Sequence, residues 1–298
     1  MPGRGARSVV RRLGAIGIAG SGRLAQALGR ALLQCGEPVV CVAGRDPLRT
    51  RLAADFMGPA VEPVEFGELP ARASRLLIAV SDFAILPVAS ALAASAGGDE
   101  IALHTCGAKG LEDLQPLRLL GVACGTLHPL QTICSAEQGA AAVRGAAFGI
   151  AGDEAALVWA QQIVERLEGH ALTIGLAERP LYHAAAVMAS NYLAVLIDAA
   201  ESMLSAATGS SADAARHALA PLIREAVDNV LERGPAAALT GPIERGDIET
   251  LRLHLAAFSS VAPSIQSLYR SAGLHTVELA QRKGLAESAA EEMKAILR

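Results

Sequence analysis

Short apolar runs rich in Val and Ile alternate with longer helical patterns through the first half of the chain. The runs are Ala15–Ala19, Val39–Ala43, Leu76–Val80, Ile101–Thr105, Val122–Leu127, Ala147–Ala151 and Ala171–Ile174. Short, nearly continuous apolar runs of this kind predict strands buried on both faces, and their alternation with helices predicts βαβ units in a mostly parallel sheet. Helices are predicted at Leu24–Cys35, Pro47–Phe56, Ala84–Ala96 and Glu154–Leu167. Gly36 closes the first of these, and Asp46 followed by Pro47 opens the second as an N-cap with proline at the first helical position. After Ile174 the strand signals stop. From Pro180 the pattern is helical: one long segment to about Ala207, a second from Ala212 to Glu232, and shorter ones after Asp247, Pro263, Gly273 and Leu285. The break near Gly175–Arg179 divides the chain into an α/β domain, residues 1–176, and an all-helical domain, residues 177–298.

Composition narrows what such a chain does. Of its 298 residues 52% are hydrophobic and 19% charged, enough apolar content to bury a large core and exclude disorder for the bulk of the chain. The net charge of −4 supplies no basic excess for a phosphate backbone, so nucleic acid is not an expected partner. Cys35, Cys41, Cys106, Cys124 and Cys134 are odd in number and lack metal-ligand spacing, which fits a reducing cytoplasm and no metal site. The basic start, with Arg4, Arg7, Arg11 and Arg12, reads as a solvated tail. Pro180–Ile197 is nearly long enough to span a bilayer, but Ser190, Asn191 and His183 within it favour a buried helix and no membrane partner.

Candidate chemistry begins at the first strand, where Gly20-Ser21-Gly22-Arg23-Leu24-Ala25 has the form G-x-G-x-x-A between a strand and a helix. Gly20 permits the tight turn, Gly22 lets a pyrophosphate approach the backbone at the helix N-terminus, and Ala25 allows close helix–strand packing. The second strand ends at Gly44-Arg45-Asp46. Arg45 stands where an acidic residue would bond the ribose hydroxyls of NAD; its charge and forked geometry match a 2′-phosphate and favour NADP. The plainer alternative is a solvated arginine beside a helix cap. Ligands in such folds lie at the carboxyl ends of the strands, which adds Val80, Ser81, Thr105 and His128 to the expected cofactor rim. His128 is placed either to reach the nicotinamide or substrate, or only to hold a loop; Cys106 reads as a small packed residue.

On the first long helix, Leu181, Ala185, Met188, Tyr192, Val195 and Ala199 form a stripe expected in a core. At 100° per residue, His183, Val187, Ser190, Asn191, Ala194 and Asp198 share a second, mixed face such as lines a cleft. His183 is the expected general acid or base because imidazole titrates near neutrality, with Ser190 and Asn191 orienting a substrate. In Leu239–Asp247, Asp247 reads as a helix cap in a turned loop; alternatively Thr240 and Arg245 hold an anionic group.

Taken together GSGRLA, HTCGAKGLEDL, LHPLQT, YHAAAVMASNYL and ALTGPIERGD resemble proteins that pair a Rossmann-like domain with a helical domain of unknown function. These are similar to pyrroline-5-carboxylate reductases, deazaflavin-dependent NADP oxidoreductases and the wider group with a 6-phosphogluconate-dehydrogenase-like helical domain. The resemblance runs from about Leu13 to Met293. It implies a Rossmann-type mostly parallel sheet followed by a helical C-terminal domain of that kind, a nicotinamide cofactor between the domains, and a homodimer built from the helical domain. The expected activity is NADP-dependent hydride transfer to or from a small carbonyl, imine or hydroxyl substrate; the alternative is a non-catalytic NADP-binding sensor. Val187 stands four residues before Asn191, where hydroxyacid dehydrogenases of the wider group carry a lysine.

Overall fold

The computed structural model describes residues 12–298; Arg4, Arg7 and Arg11 of the expected tail lie outside the described residues. The described residues form two compact units, 12–190 and 191–298, so the division falls later than the predicted boundary at 176. In the first unit, β1 (Arg12–Ala19), α1 (Arg23–Gln34), β2 (Val39–Ala43), α2 (Pro47–Met57), β3 (Glu62–Val64), α3 (Leu69–Arg72), β4 (Ala73–Ile78) and α4 (Ile85–Ala93) build one half. The other half follows as β5 (Ile101–His104), α5 (Gln115–Arg118), β6 (Ala123–Pro129), α6 (Ala136–Ala142), β7 (Ala147–Gly152), α7 (Glu154–Arg166), β8 (His170–Thr173) and α8 (Arg179–Ala189).

The eight strands are ordered β3-β2-β1-β4-β5-β6-β7-β8, parallel throughout except where β7 runs antiparallel to β6. Strand order therefore reverses between β1 and β4, the position at which open α/β sheets leave a crevice beyond the strand ends. Both faces of the central strands are covered, which is why those strands read as unbroken apolar runs rather than alternating ones, whereas the edge strands β3 and β8 are largely exposed. Ile16, Ile18, Leu77 and Leu103 join Leu28, Trp159 and Ile163 on one face; Ala15, Ala19, Leu76 and Ile78 join Ile85, Val88 and Leu114 on the other. Small residues set the spacing. A Cβ on Gly29 of α1 would stand 2.5 Å from Met57 Sδ and 2.9 Å from Ile18 Cδ1, so α1 packs against α2 and the sheet only because no side chain intervenes.

The second unit contains α9 (Asn191–Thr208), α10 (Ala212–Arg233), α11 (Pro235–Ala238), α12 (Ile248–Ala257), α13 (Pro263–Lys283) and α14 (Glu287–Leu297). Leu251, Val277, Ala280, Ala290, Met293 and Leu297 form its core, and Gly273, expected to start a helix, sits inside α13 against Leu297. Asp247 does cap α12, accepting from Thr250 N–H at 3.0 Å.

Two expectations about the first long helix need correction. It is not continuous: at Ser190 the backbone leaves helical geometry (φ −122°, ψ −66°), and the Ser190 hydroxyl donates to Ala186 O at 2.7 Å. A hydroxyl that bonds back to the i−4 carbonyl bends a helix, so a 100° projection cannot be carried from His183 to Asn191. Nor is the stripe a core. Leu181, Ala185, Met188, Tyr192 and Val195 are exposed, and only Ala199 is buried. Arg179–Thr208 is long and apolar enough by composition to cross a membrane, with mean hydropathy 1.3. Its first residue, however, is buried and hydrogen-bonded into the sheet unit.

Candidate functional site

The end of β1 turns at Gly20, whose φ of +132° is open to glycine alone, and a Cβ there would lie 2.1 Å from Ala79 O at the end of β4. That contact lets the loops after β1 and β4 meet at the strand-order reversal. Gly22 differs: its φ of −78° suits any residue, and nothing lies within 4 Å of where a Cβ would be. It is the N-cap of α1 and provides no side-chain cap, and the first turn of α1 carries no acidic residue, so that helix end presents N–H groups to an open space. Ser21 Oγ packs over Gly44 at the end of β2, 2.7 Å from the position of a Cβ.

The resulting cleft has a volume of about 480 Å³ and is lined by Gly20–Leu24, Gly44–Asp46, Arg49, Phe66, Ala79–Ser81, Ala84, Val88 and Ile133. Arg45 and Arg49 stand exposed at its rim. The nearby carboxylate, Asp46, accepts from the Arg49 backbone N–H at 3.0 Å as the cap of α2. Arg23 closes another edge, its guanidinium donating to Cys134 O at 2.9 Å. The chemistry of this lining suits an elongated anion: unpaired helix N–H groups at one point, two guanidinium groups at another, and apolar Phe66, Ala84, Val88 and Ile133 between.

A second cluster forms within the same unit, beyond β5 and β6. Arg179, the first residue of α8, is fully buried. Its guanidinium donates to Lys109 O at 2.6 Å, to Thr126 Oγ1 at 2.8 Å and to Cys106 O, and so joins α8 to β6 and to the loop after β5. All three acceptors are neutral. Beside it His128 Nδ1 lies 2.9 Å from the Tyr182 hydroxyl, and the His128 and His183 rings meet edge-on with centroids 5.8 Å apart. Gly107 makes room for the pair: a Cβ there would stand 2.5 Å from His183 Cδ2 and 2.8 Å from His128 Nε2. Burial, with His183 and Arg179 nearby, lowers the His128 pKa to about 4, so this ring is neutral at physiological pH. His104 is wholly structural. Its Nδ1 accepts from Cys106 N–H and its Nε2 therefore donates to Gly110 O at 2.6 Å, a neutral tautomer that burial also favours. Burial pushes the Cys106 thiol upward, consistent with a packed residue rather than a nucleophile.

The structure thus brings Gly20, Ser21, Gly22, Arg23, Leu24, Arg45, Val80 and Ser81 around one cleft. Thr105 is buried, its N–H bonded to Ile78 O, and does not line that cleft. His128 and His183 belong to the second cluster. Ser190 closes α8; Asn191 opens α9, and Asn191, Thr240 and Arg245 are exposed residues of the second unit. Arg49, Arg179 and Tyr182 were not anticipated. Arg49 repeats Arg45 one helical turn on, and Arg179 is a lone charge opening an apolar helix, both signals visible in the sequence.

The fold agrees with what the chain matches. Residues 4–129 match a Rossmann-like domain, and residues 146–276 match a domain of unknown function, DUF2520. The two matches follow one another along the chain, a Rossmann-like stretch and then a DUF2520 stretch. The DUF2520 stretch begins one residue before β7 and takes in α8 with Arg179, Tyr182 and His183. No curated protein gives a significant match. Among solved structures, a Bacteroides fragilis protein provisionally assigned as an NADP oxidoreductase is 23% identical, with a TM-score of 0.71 over 89% of this chain and 98% of its own. A protein from Thermotoga maritima is 21% identical, with a TM-score of 0.69 over 90% and 99%. Pyrroline carboxylate reductase from Plasmodium falciparum, solved with NADP bound, is 14% identical, with a TM-score of 0.56 over 98% and 100%. At these identities the likeness establishes the fold.

Proposed function

We propose that this chain is an NADP-dependent oxidoreductase acting on a small carbonyl, imine or hydroxyl compound. The observation that carries the reading is the cleft where strand order reverses, with an open Gly22 at an uncapped helix N-terminus and Arg45 and Arg49 at the rim. In this reading Gly20–Leu24 hold the pyrophosphate, the two arginines hold the 2′-phosphate, and Val80 and Ser81 flank the dinucleotide at the end of β4. The NADP bound to the Plasmodium falciparum reductase and the assignment of the Bacteroides fragilis protein support it. Hydride transfer is the chemistry that the cofactor supplies when bound; the protein binds, orients and moves a proton.

His183 is assigned as general acid or base, with Ser190 and Asn191 orienting the substrate, and Thr240 and Arg245 holding an anionic group of it. Following absorbance of NADPH against a panel of ketones and cyclic imines tests this. His183→Ala and Asn191→Ala are expected to retain NADP affinity and melting temperature while turnover falls about 100-fold or more, the usual contribution of general acid–base catalysis. Lower melting temperatures in both variants with turnover preserved would show the two residues to be structural.

A cytoplasmic homodimer joined through the second unit, without nucleic-acid, membrane or metal partners, completes the reading. Tyr192, Leu193, Val195 and Leu196 of α9 and Leu222 and Leu231 of α10 are exposed, Leu231 by 78%. Exposed apolar surface of this density is characteristic of association sites. Light scattering at micromolar concentration is expected to return twice the chain mass; a single-chain mass contradicts the dimer.

A further inference from the structure

The second cluster fixes where one imidazole keeps its proton. Tyr182 lays its ring over Gly149, the residue paired with His128 across β6 and β7, and a Cβ on Gly149 would stand 2.5 Å from the phenol oxygen. That oxygen belongs to a hydroxyl with a single proton to donate. The proton has two acceptors in reach: His128 Nδ1 at 2.9 Å and the His128 carbonyl at 3.5 Å. The nearer is favoured, because 3.5 Å lies outside the usual range of about 2.5–3.0 Å for bonds from a hydroxyl donor. A neutral imidazole whose Nδ1 accepts must carry its proton on Nε2. The groups facing the ring keep it neutral: burial acts most strongly, His183 and Arg179 of α8 and His104 of β5 add to it, and Asp82 after β4 opposes. Nε2 points to the backbone at Gly107, where the loop after β5 has no side chain to cover it.

We infer that His128 is a fixed neutral hydrogen-bond donor, its Nε2–H oriented toward Gly107 by Tyr182, and that it serves the carbonyl, imine or hydroxyl heteroatom of the bound substrate. Tyr182 is the positioning residue, acting through His128. The identity of the acceptor rests on the function proposed above; the tautomer does not. A preset donor at such an atom polarises it without reorganisation when the reaction occurs, which is how oriented dipoles lower a barrier. A neutral imidazole also has no charge to be desolvated there. Neither Gly149 nor Gly107 tolerates a Cβ without displacing Tyr182 or the two histidines, so both glycines serve the same arrangement.

Long-range proton–nitrogen correlation spectra of the full chain, labelled with nitrogen-15 and recorded at pH 7 without nucleotide, test the inference, with His128→Gln assigning the ring. The wild type is expected to show a protonated-type Nε2 and an unprotonated-type Nδ1. Tyr182→Phe keeps the ring over Gly149 but removes the donor, and both nitrogens are then expected to move to averaged positions as the tautomers mix. A wild-type ring protonated at Nδ1, or at both nitrogens, overturns the inference; so does a Tyr182→Phe spectrum that retains the single Nε2–H form. If the variant does not fold, the wild-type spectrum alone decides. Because no nucleotide is added, a failure of NADP binding and a failure of this tautomer are separate results.

Discussion

Arg179→Met is expected to destabilise the first unit by about 3 kcal/mol, a fall in melting temperature of roughly 6–12 °C for a unit of this size. The substitution keeps an unbranched apolar stem but leaves Lys109 O, Thr126 Oγ1 and Cys106 O without their donor in a buried site. Each buried acceptor left unpaired costs on the order of 1–3 kcal/mol, and relief from burying a guanidinium offsets only part of that sum. The loss is directional as well as energetic. Arg179 is the sole fully buried residue of α8, so amide exchange is expected to rise first through Leu181–Ala189 and through the loop carrying Gly107. Arg179→Lys retains the charge but not the fork, and is expected to recover only a minor part of the stability. Unchanged melting of Arg179→Met would show that α8 is held by other contacts.

Gly22→Val is expected to act in the opposite way, leaving the fold intact and removing nucleotide binding. Valine adopts the observed φ of −78° without strain, and nothing within 4 Å would meet its Cβ. The added methyl groups instead occupy the space through which a pyrophosphate reaches the first turn of α1. A loss of at least about 100-fold in NADP affinity, near 2.7 kcal/mol, is expected by calorimetry with the melting temperature nearly constant. Gly20→Val is the control. At φ +132° and 2.1 Å from Ala79 O it is expected to unfold the loop, so its loss of binding comes with loss of stability.

Much of this arrangement was legible in the sequence because the relevant signals are local. The glycine spacing, the Asp46-Pro47 helix start and the Val- and Ile-rich runs each depend on a few adjacent residues, and β1, α1, β2 and α2 lie where they were expected. β3, a three-residue edge strand containing Pro63, and α6, a seven-residue helix, carry too little periodicity to register. The break at Ser190 escaped because hydrophobic periodicity does not sense a hydroxyl bonded to the preceding turn. His128 stands apart from the Gly20 cleft, and Tyr182 joins it only through the β6–β7 pairing, which brings Gly149 opposite His128. Such a pairing depends on antiparallel register between strands separated by a helix, which no short motif encodes. The exposed stripe on α8 and α9 was mistaken for core because an apolar helix face looks the same in sequence whether or not the rest of the chain covers it.

The central claim, that the glycine-loop cleft binds NADP in preference to NAD, is tested most directly by calorimetric titration of both oxidised nucleotides into the wild-type chain and into Arg45→Ala. A charge-assisted contact to the 2′-phosphate is worth roughly 1.5–3 kcal/mol, so NADP is expected to bind about 10- to 150-fold more tightly than NAD, with most of that preference lost in Arg45→Ala and NAD affinity unaffected. Equal affinities for the two nucleotides in the wild type, or heat of binding from neither, would contradict the account.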